Sequence, residues 1–95
     1  MDWETLEHLE DHFPLHRGEL GVRSVEEYDA SAQETIRLGR EFRYFYDPER
    51  VWRIGFFQRV TSRFVAASLQ RRIITHFRAD EAYVVELTYS TYRDD

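Results

Sequence analysis

The hydrophobic period of this chain changes once, at Gly39, and that change does most to fix the fold class. Upstream, apolar residues recur at helical spacing; downstream, they alternate. Trp3, Leu6, Leu9 and Phe13 mark a first helix over residues 3–13, with Asp2 as its N-cap and Glu4 in its first turn. Pro14 lacks an amide N–H and biases Phe13 away from helical geometry, so this helix is expected to end or kink near His12. "RGELGVR" (17–23) reads as a loop with two glycines. "SVEE" (24–27) is a capping box, Ser24 as N-cap and Glu27 three residues on. It opens a second helix that runs to about Leu38, turns Tyr28, Ala32 and Thr35–Ile36 inward, and closes at Gly39.

Beyond Gly39 the pattern predicts four strands: "EFRYFY" (41–46), "VWRIGFF" (51–57), "RFVAASL" (63–69) and "RRIITHF" (71–77). Asp47-Pro48 makes the first turn, and short polar connections imply hairpins. In the fourth strand, Ile73, Thr75 and Phe77 should share one face, with Arg72, Ile74 and His76 on the other. Residues 80–92 form a short C-terminal element whose pattern suits either a helix or a strand. The expected architecture is α+β: two N-terminal helices packed on one face of a four-stranded antiparallel meander, as a single domain over residues 1–95.

Composition narrows the chemistry. Without cysteine there are no disulfides and no thiolate metal ligands. No apolar run reaches membrane-spanning length, and the acidic start is unlike a secretory signal, so a cytoplasmic location is expected, in a producing or a target cell. The net charge of −5 argues against a polyanion partner, but its distribution does not. Residues 1–35 hold ten acids and two arginines, a balance of −8; residues 36–78 hold three acids and ten arginines, a balance of +7. All 13 cations are Arg, whose planar fork suits phosphate or carboxylate. A basic middle could serve a polyanion, or simply pair with the acidic helices inside the domain.

"DHFPLH" (11–16) places His12 and His16 four residues apart around Pro14. A zinc half-site of that spacing needs an unbroken helix and a third ligand, so no metal or other cofactor is expected. No Gly-rich phosphate loop and no nucleophile elbow occurs. Metal-free cleavage of a phosphodiester fits better. It needs a base for the 2′-OH, an acid for the leaving 5′-oxygen, and donors for the phosphate. His12 and His16 suit the proton roles near neutral pH, and His76 adds a third imidazole on the last strand. Thr61, Ser62 and Thr75 are hydroxyl donors, while Arg53, Arg59, Arg63, Arg71 and Arg72 are available cations.

The order of four motifs resembles the BECR-fold ribonucleases (the barnase, EndoU, colicin and RelE-like group), especially compact toxin domains and their phage relatives. These motifs are "DHFPLH" (11–16), "GVRSVEEYDASA" (21–32), "TSRFVAA" (61–67) and "IITHF" (73–77), covering roughly residues 8–80. The resemblance implies a toxin-type endoribonuclease. His12 and His16 would share acid–base work, Thr75 with Thr61 or Ser62 would hold the phosphate, and RNA, with tRNA among the candidates, would be the substrate. Ile74 stands where the family often has a basic residue, which leaves Arg72 as the substitute. Arg53, Arg59, Arg63, Arg71 and His76 would contact substrate, and an immunity or antitoxin protein would be a natural partner. Two other readings compete: a non-catalytic module that binds RNA or protein through its basic aromatic sheet, and an acidic immunity-type protein that presents residues 1–35. Convergence of the histidines, Thr75 and an arginine on one cleft would separate the first reading from the second.

Overall fold

Thr5, rather than Asp2, starts the first helix. Its hydroxyl accepts the His8 N–H at 3.0 Å, and α1 then runs from Leu6 to Leu20. The computed structural model describes residues 1–92. Asp2 and Glu4 are used differently: their backbones exchange hydrogen bonds with Ile73, and Trp3 forms a parallel bridge to it. Trp3 is thus held against β4 by an isolated bridge rather than by a strand.

α1 runs on through Pro14 to Leu20 rather than ending near His12. A mid-helix proline costs about 3 kcal/mol against alanine. Packing offsets that cost: Leu9 and Phe13 lie against Leu20, Val22 and Tyr28, with the Phe13 and Tyr28 rings 5.9 Å apart. The segment expected as a loop, 17–23, is mostly the last turn of α1. The helix ends at Gly21, where φ of +68° suits glycine and its N–H bonds Arg17 O.

Ser24 caps α2 (Val25–Leu38), accepting Glu27 N–H at 3.1 Å as the capping box requires. Tyr28, Ser31, Ala32 and Thr35 form its buried stripe. Strands β1 (Arg40–Tyr46), β2 (Val51–Gln58), β3 (Arg63–Ser68) and β4 (Ile73–Arg78) follow in an antiparallel meander of order β1-β2-β3-β4. Gly55 lies opposite Phe42, whose ring covers it; a Cβ there would sit 2.7 Å from that ring. Helix α3 (Glu81–Tyr92) settles the ambiguous C-terminal element.

The two N-terminal helices pack on the antiparallel meander as expected of an α+β fold, with α2 on one face and α3 on the other. Ala32 packs on Ile54, Phe56, Val65, Ala67 and Ile73. On the opposite face Val84 and Leu87 of α3 cover Tyr44, Phe57, Phe64 and Ala66. α1 lies along the β4 edge. The β3–β4 register shifts between Ala66 and Ala67: Ala66 pairs with Thr75 but Ala67 with Ile73. Ile74 is the extra residue, and it breaks the simple alternation expected for β4. Ile73 and His76 consequently face α2 together. No helix among the described residues is long and apolar enough to cross a membrane.

Candidate active site

The unbroken α1 brings His8, His12 and His16 onto one face, a consequence of spacing that a break at Pro14 would have abolished. Their rings form a ladder. His8 and His12 stack with centroids 6.0 Å apart and planes 5° from parallel; His12 and His16 stack at 5.9 Å and 15°. All three are half-buried. Each Nδ1 has a hydrogen-bond partner: Thr5 Oγ1 at 2.6 Å for His8, Thr75 Oγ1 at 2.8 Å for His12, and Glu19 Oε1 at 2.8 Å for His16. With Nδ1 committed, Nε2 is the ring atom left to exchange a proton with a ligand.

The His12–Thr75 bond joins residues 63 apart in the chain, from α1 to β4. The Ile74 bulge next to Thr75 sets how this hydroxyl meets the helix. Thr75 also interacts with the buried Tyr28 hydroxyl, which donates to His76 O at 2.6 Å and accepts His76 N–H at 3.2 Å. The threonine therefore orients the His12 ring within a fixed network, whereas the family resemblance would have given its hydroxyl to the phosphate.

Glu19 is a residue that the sequence reading missed. One carboxylate oxygen takes His16 Nδ1, and the other accepts the backbone N–H of Arg78 at 2.8 Å. A carboxylate accepts only, so His16 carries a proton on Nδ1, where it meets Glu19. Glu19 stands three residues after His16, the spacing of neighbours on a helix. That signal was hidden because residues 17–23 read as a loop.

Burial lowers the His12 pKa below its usual 6.5, and the neighbouring His16 and then His8 push the same way; Asp11 opposes them. His12 is thus held neutral, as a base needs to be. His16 differs in having a carboxylate, Glu19, on its Nδ1.

Other expected site residues lie elsewhere. His76 is fully buried and is a core residue, not a substrate contact. Its Nδ1–H donates to Phe64 O at 2.9 Å, and its Nε2 accepts from Ser31 Oγ at 2.8 Å. Desolvation lowers its pKa to about 4, with Arg63 and His16 acting in the same direction against the Phe64 bond. Arg63 completes this network, donating to Ser31 Oγ at 2.9 Å and Leu20 O at 3.1 Å, so it braces the framework.

Thr61 and Ser62 sit in the β2–β3 turn, with Thr61 Oγ1 donating to Gln58 O and Ser62 O accepting Ala79 N–H. Ser62 is four residues along β3 from the partner of Thr75, roughly 13 Å at strand rise. Arg72 precedes β4 rather than lying within it and is exposed. Arg71 pairs with Glu41 at 3.0 Å in the same turn. Arg59 pairs with Glu81 of α3 at 3.2 Å, on the far side of the sheet. Arg53 is stacked 3.6 Å from the Tyr46 ring centroid and bonded to Glu49 at 3.3 Å. It lines a cleft of about 530 Å³ that also contains His8 and Ile74. Of the expected set, the structure gathers His12, His16 and Thr75, with Arg53 one cleft away.

Among the described residues no group of three or more His, Asp or Glu is placed to hold a metal ion. Comparison with protein-family models, with curated proteins and with solved structures found no match to this chain.

Proposed function

We propose that the protein is a metal-independent endoribonuclease of toxin type, cleaving RNA by transesterification at the histidine ladder. The observation that carries this reading is the 2.8 Å bond between His12 Nδ1 and Thr75 Oγ1, with His16 stacked alongside. In the reactive state His12 donates Nδ1–H to Thr75, leaving the Nε2 lone pair as base. Nε2 takes the 2′-OH proton, the 2′-oxygen bonds to phosphorus, and the P–O5′ bond breaks. His16, protonated and paired with Glu19, returns a proton from Nε2 to the departing 5′-oxygen. The products are a 2′,3′-cyclic phosphate and a free 5′-OH. The roughly 6 Å between the rings leaves room for the phosphate to meet both nitrogens. On this reading tRNA is a candidate substrate, the site of action is the cytoplasm of the producing or target cell, and an immunity or antitoxin protein is the expected inhibitor.

One observation favours a second reading, a non-catalytic interaction module. Arg53, Arg59, Arg63 and Arg71 are bonded to partners other than the ladder histidines, and Glu7, Glu10 and Asp11 are exposed on α1 around it. Incubation of the pure protein with total tRNA, with and without EDTA, separates the two. Cleavage that survives EDTA and leaves cyclic phosphate ends supports the nuclease. Intact tRNA, or cleavage only with added divalent metal, refutes it.

A further inference from the structure

A groove of about 680 Å³ runs between α3 and the end of the sheet where β1 begins and β2 ends. It lies toward the β1 edge, whereas α1 carries the histidine ladder along β4. Its volume is in the range of small-molecule sites. The floor is apolar: Phe57 is buried and Phe42 is partly buried beside it. The outer wall is α3, which carries more apolar surface than the sheet uses. Val84 and Leu87 seat it on the sheet. Val85 and Tyr89, neighbours at i, i+4, line the groove and stay 60% and 64% exposed.

The charge sits at one end. Arg59 Nε holds Glu81 Oε2 at 3.2 Å, so that pair is balanced. Arg40 pairs with Phe57 in the strand register and shares the Phe42 side of β1 by alternation. Its guanidinium lines the groove and has no carboxylate partner among the described residues. Thr88 Oγ1 is occupied, donating to Val84 O. The Tyr89 hydroxyl can donate to an anion or to water. The groove therefore carries one uncompensated positive charge. From Glu81 to Tyr89 its apolar wall extends along α3 for roughly 12 Å at helical rise.

A cation is repelled here, and a neutral oil leaves Arg40 without an anion. A small polar anion leaves the apolar wall wet. One carboxylate on an apolar tail suits both ends: the tail displaces water from Phe42 and Val85, and the carboxylate meets the forked N–H groups of Arg40. We propose that this groove binds a free medium-chain fatty carboxylate, its head on Arg40 and its chain along α3. The proposal is independent of the ribonuclease reading.

The test is calorimetric titration of the whole protein with decanoate below its micelle concentration. Decanol and decyltrimethylammonium are the neutral and cationic counterparts. Decanoate should bind about five-fold tighter or more than either, and ¹⁵N NMR shifts should centre on Val85 and Tyr89. Arg40→Gln should lower decanoate affinity about five-fold or more and leave decanol unchanged, a split that loss of folding would not produce. Val85→Glu should abolish decanoate binding with far-UV circular dichroism unchanged; should it unfold the chain, Arg40→Gln alone decides, because Arg40 is exposed. Equal binding of decanol, indifference to Arg40→Gln, or shifts centred elsewhere overturns the proposal. So does self-association that Val85→Glu breaks without any decanoate binding, which would give the groove to a second copy of the chain.

Discussion

Acid should weaken this protein through one buried imidazole, His76. The folded state holds the ring neutral between Phe64 O and Ser31 Oγ, and its pKa falls from 6.5 to about 4. In the unfolded chain it titrates near 6.5. Between these values the unfolded state binds the extra proton, so stability is complete above pH 6.5 and falls as pH drops toward 4. The displacement from 6.5 to about 4 amounts to about 3 kcal/mol at 1.36 kcal/mol per pH unit. For a domain of this size that is a fall in Tm of about 12–25 °C. Thermal unfolding should be followed by circular dichroism from pH 7 to 4, on wild type and on His76→Gln. Histidine 12 contributes in the same direction, its pKa also being lowered, so the variant serves as the control. His76→Gln should start less stable at pH 7 and lose most of the pH dependence. Its RNA cleavage per folded molecule should equal wild type, because the residue is enclosed. An unchanged slope in the variant would refute the assignment of acid lability to His76. A loss of activity with intact folding would return His76 to the site.

Pro14→Ala restores the missing N–H to a continuous helix, and should raise unfolding free energy by about 1–3 kcal/mol in urea melts; destabilisation would mean that the proline is needed where it stands. Glu19→Gln keeps an oxygen for His16 Nδ1–H but removes the carboxylate charge beside the proposed acid. It should lower kcat about ten-fold or more with little change in KM. Glu19→Ala should in addition shift the His16 ring toward the Nε2–H tautomer, visible in ¹⁵N NMR. An unaltered tautomer together with an unaltered kcat would leave Glu19 as no more than an anchor for Arg78 N–H.

The sheet, α2 and its cap were legible because each rests on local chemistry: alternation, the Ser24–Glu27 box and Asp47-Pro48 at a turn. The course of α1 was not. Local propensity at Pro14 was overruled by the burial of Leu9 and Phe13 on Tyr28, a tertiary effect. With that helix went the shared face of the histidines and the role of Glu19. The meeting of His12 with Thr75 matched the order of motifs, but the Ile74 bulge that shapes it is set by pairing with Ala66 and Ala67, which no local pattern marks. His76 looked like a site residue because it adds an imidazole on the last strand; in the structure it is enclosed in the core. The arginines looked like a basic face, yet Arg53, Arg59, Arg63 and Arg71 have partners within the domain. The carboxylates among those partners are Glu49, Glu81 and Glu41, none of them in the acidic first 35 residues, so these contacts are not the pairing with acidic N-terminal helices that the charge distribution suggested.

The central claim is that His12 moves the proton that starts RNA cleavage. Single-turnover cleavage of tRNA in EDTA, comparing wild type with His12→Ala, tests it most directly. The account predicts cyclic phosphate ends from wild type and a rate at least about 100-fold lower in the variant. A His12→Ala variant that folds and cleaves at the wild-type rate would contradict it.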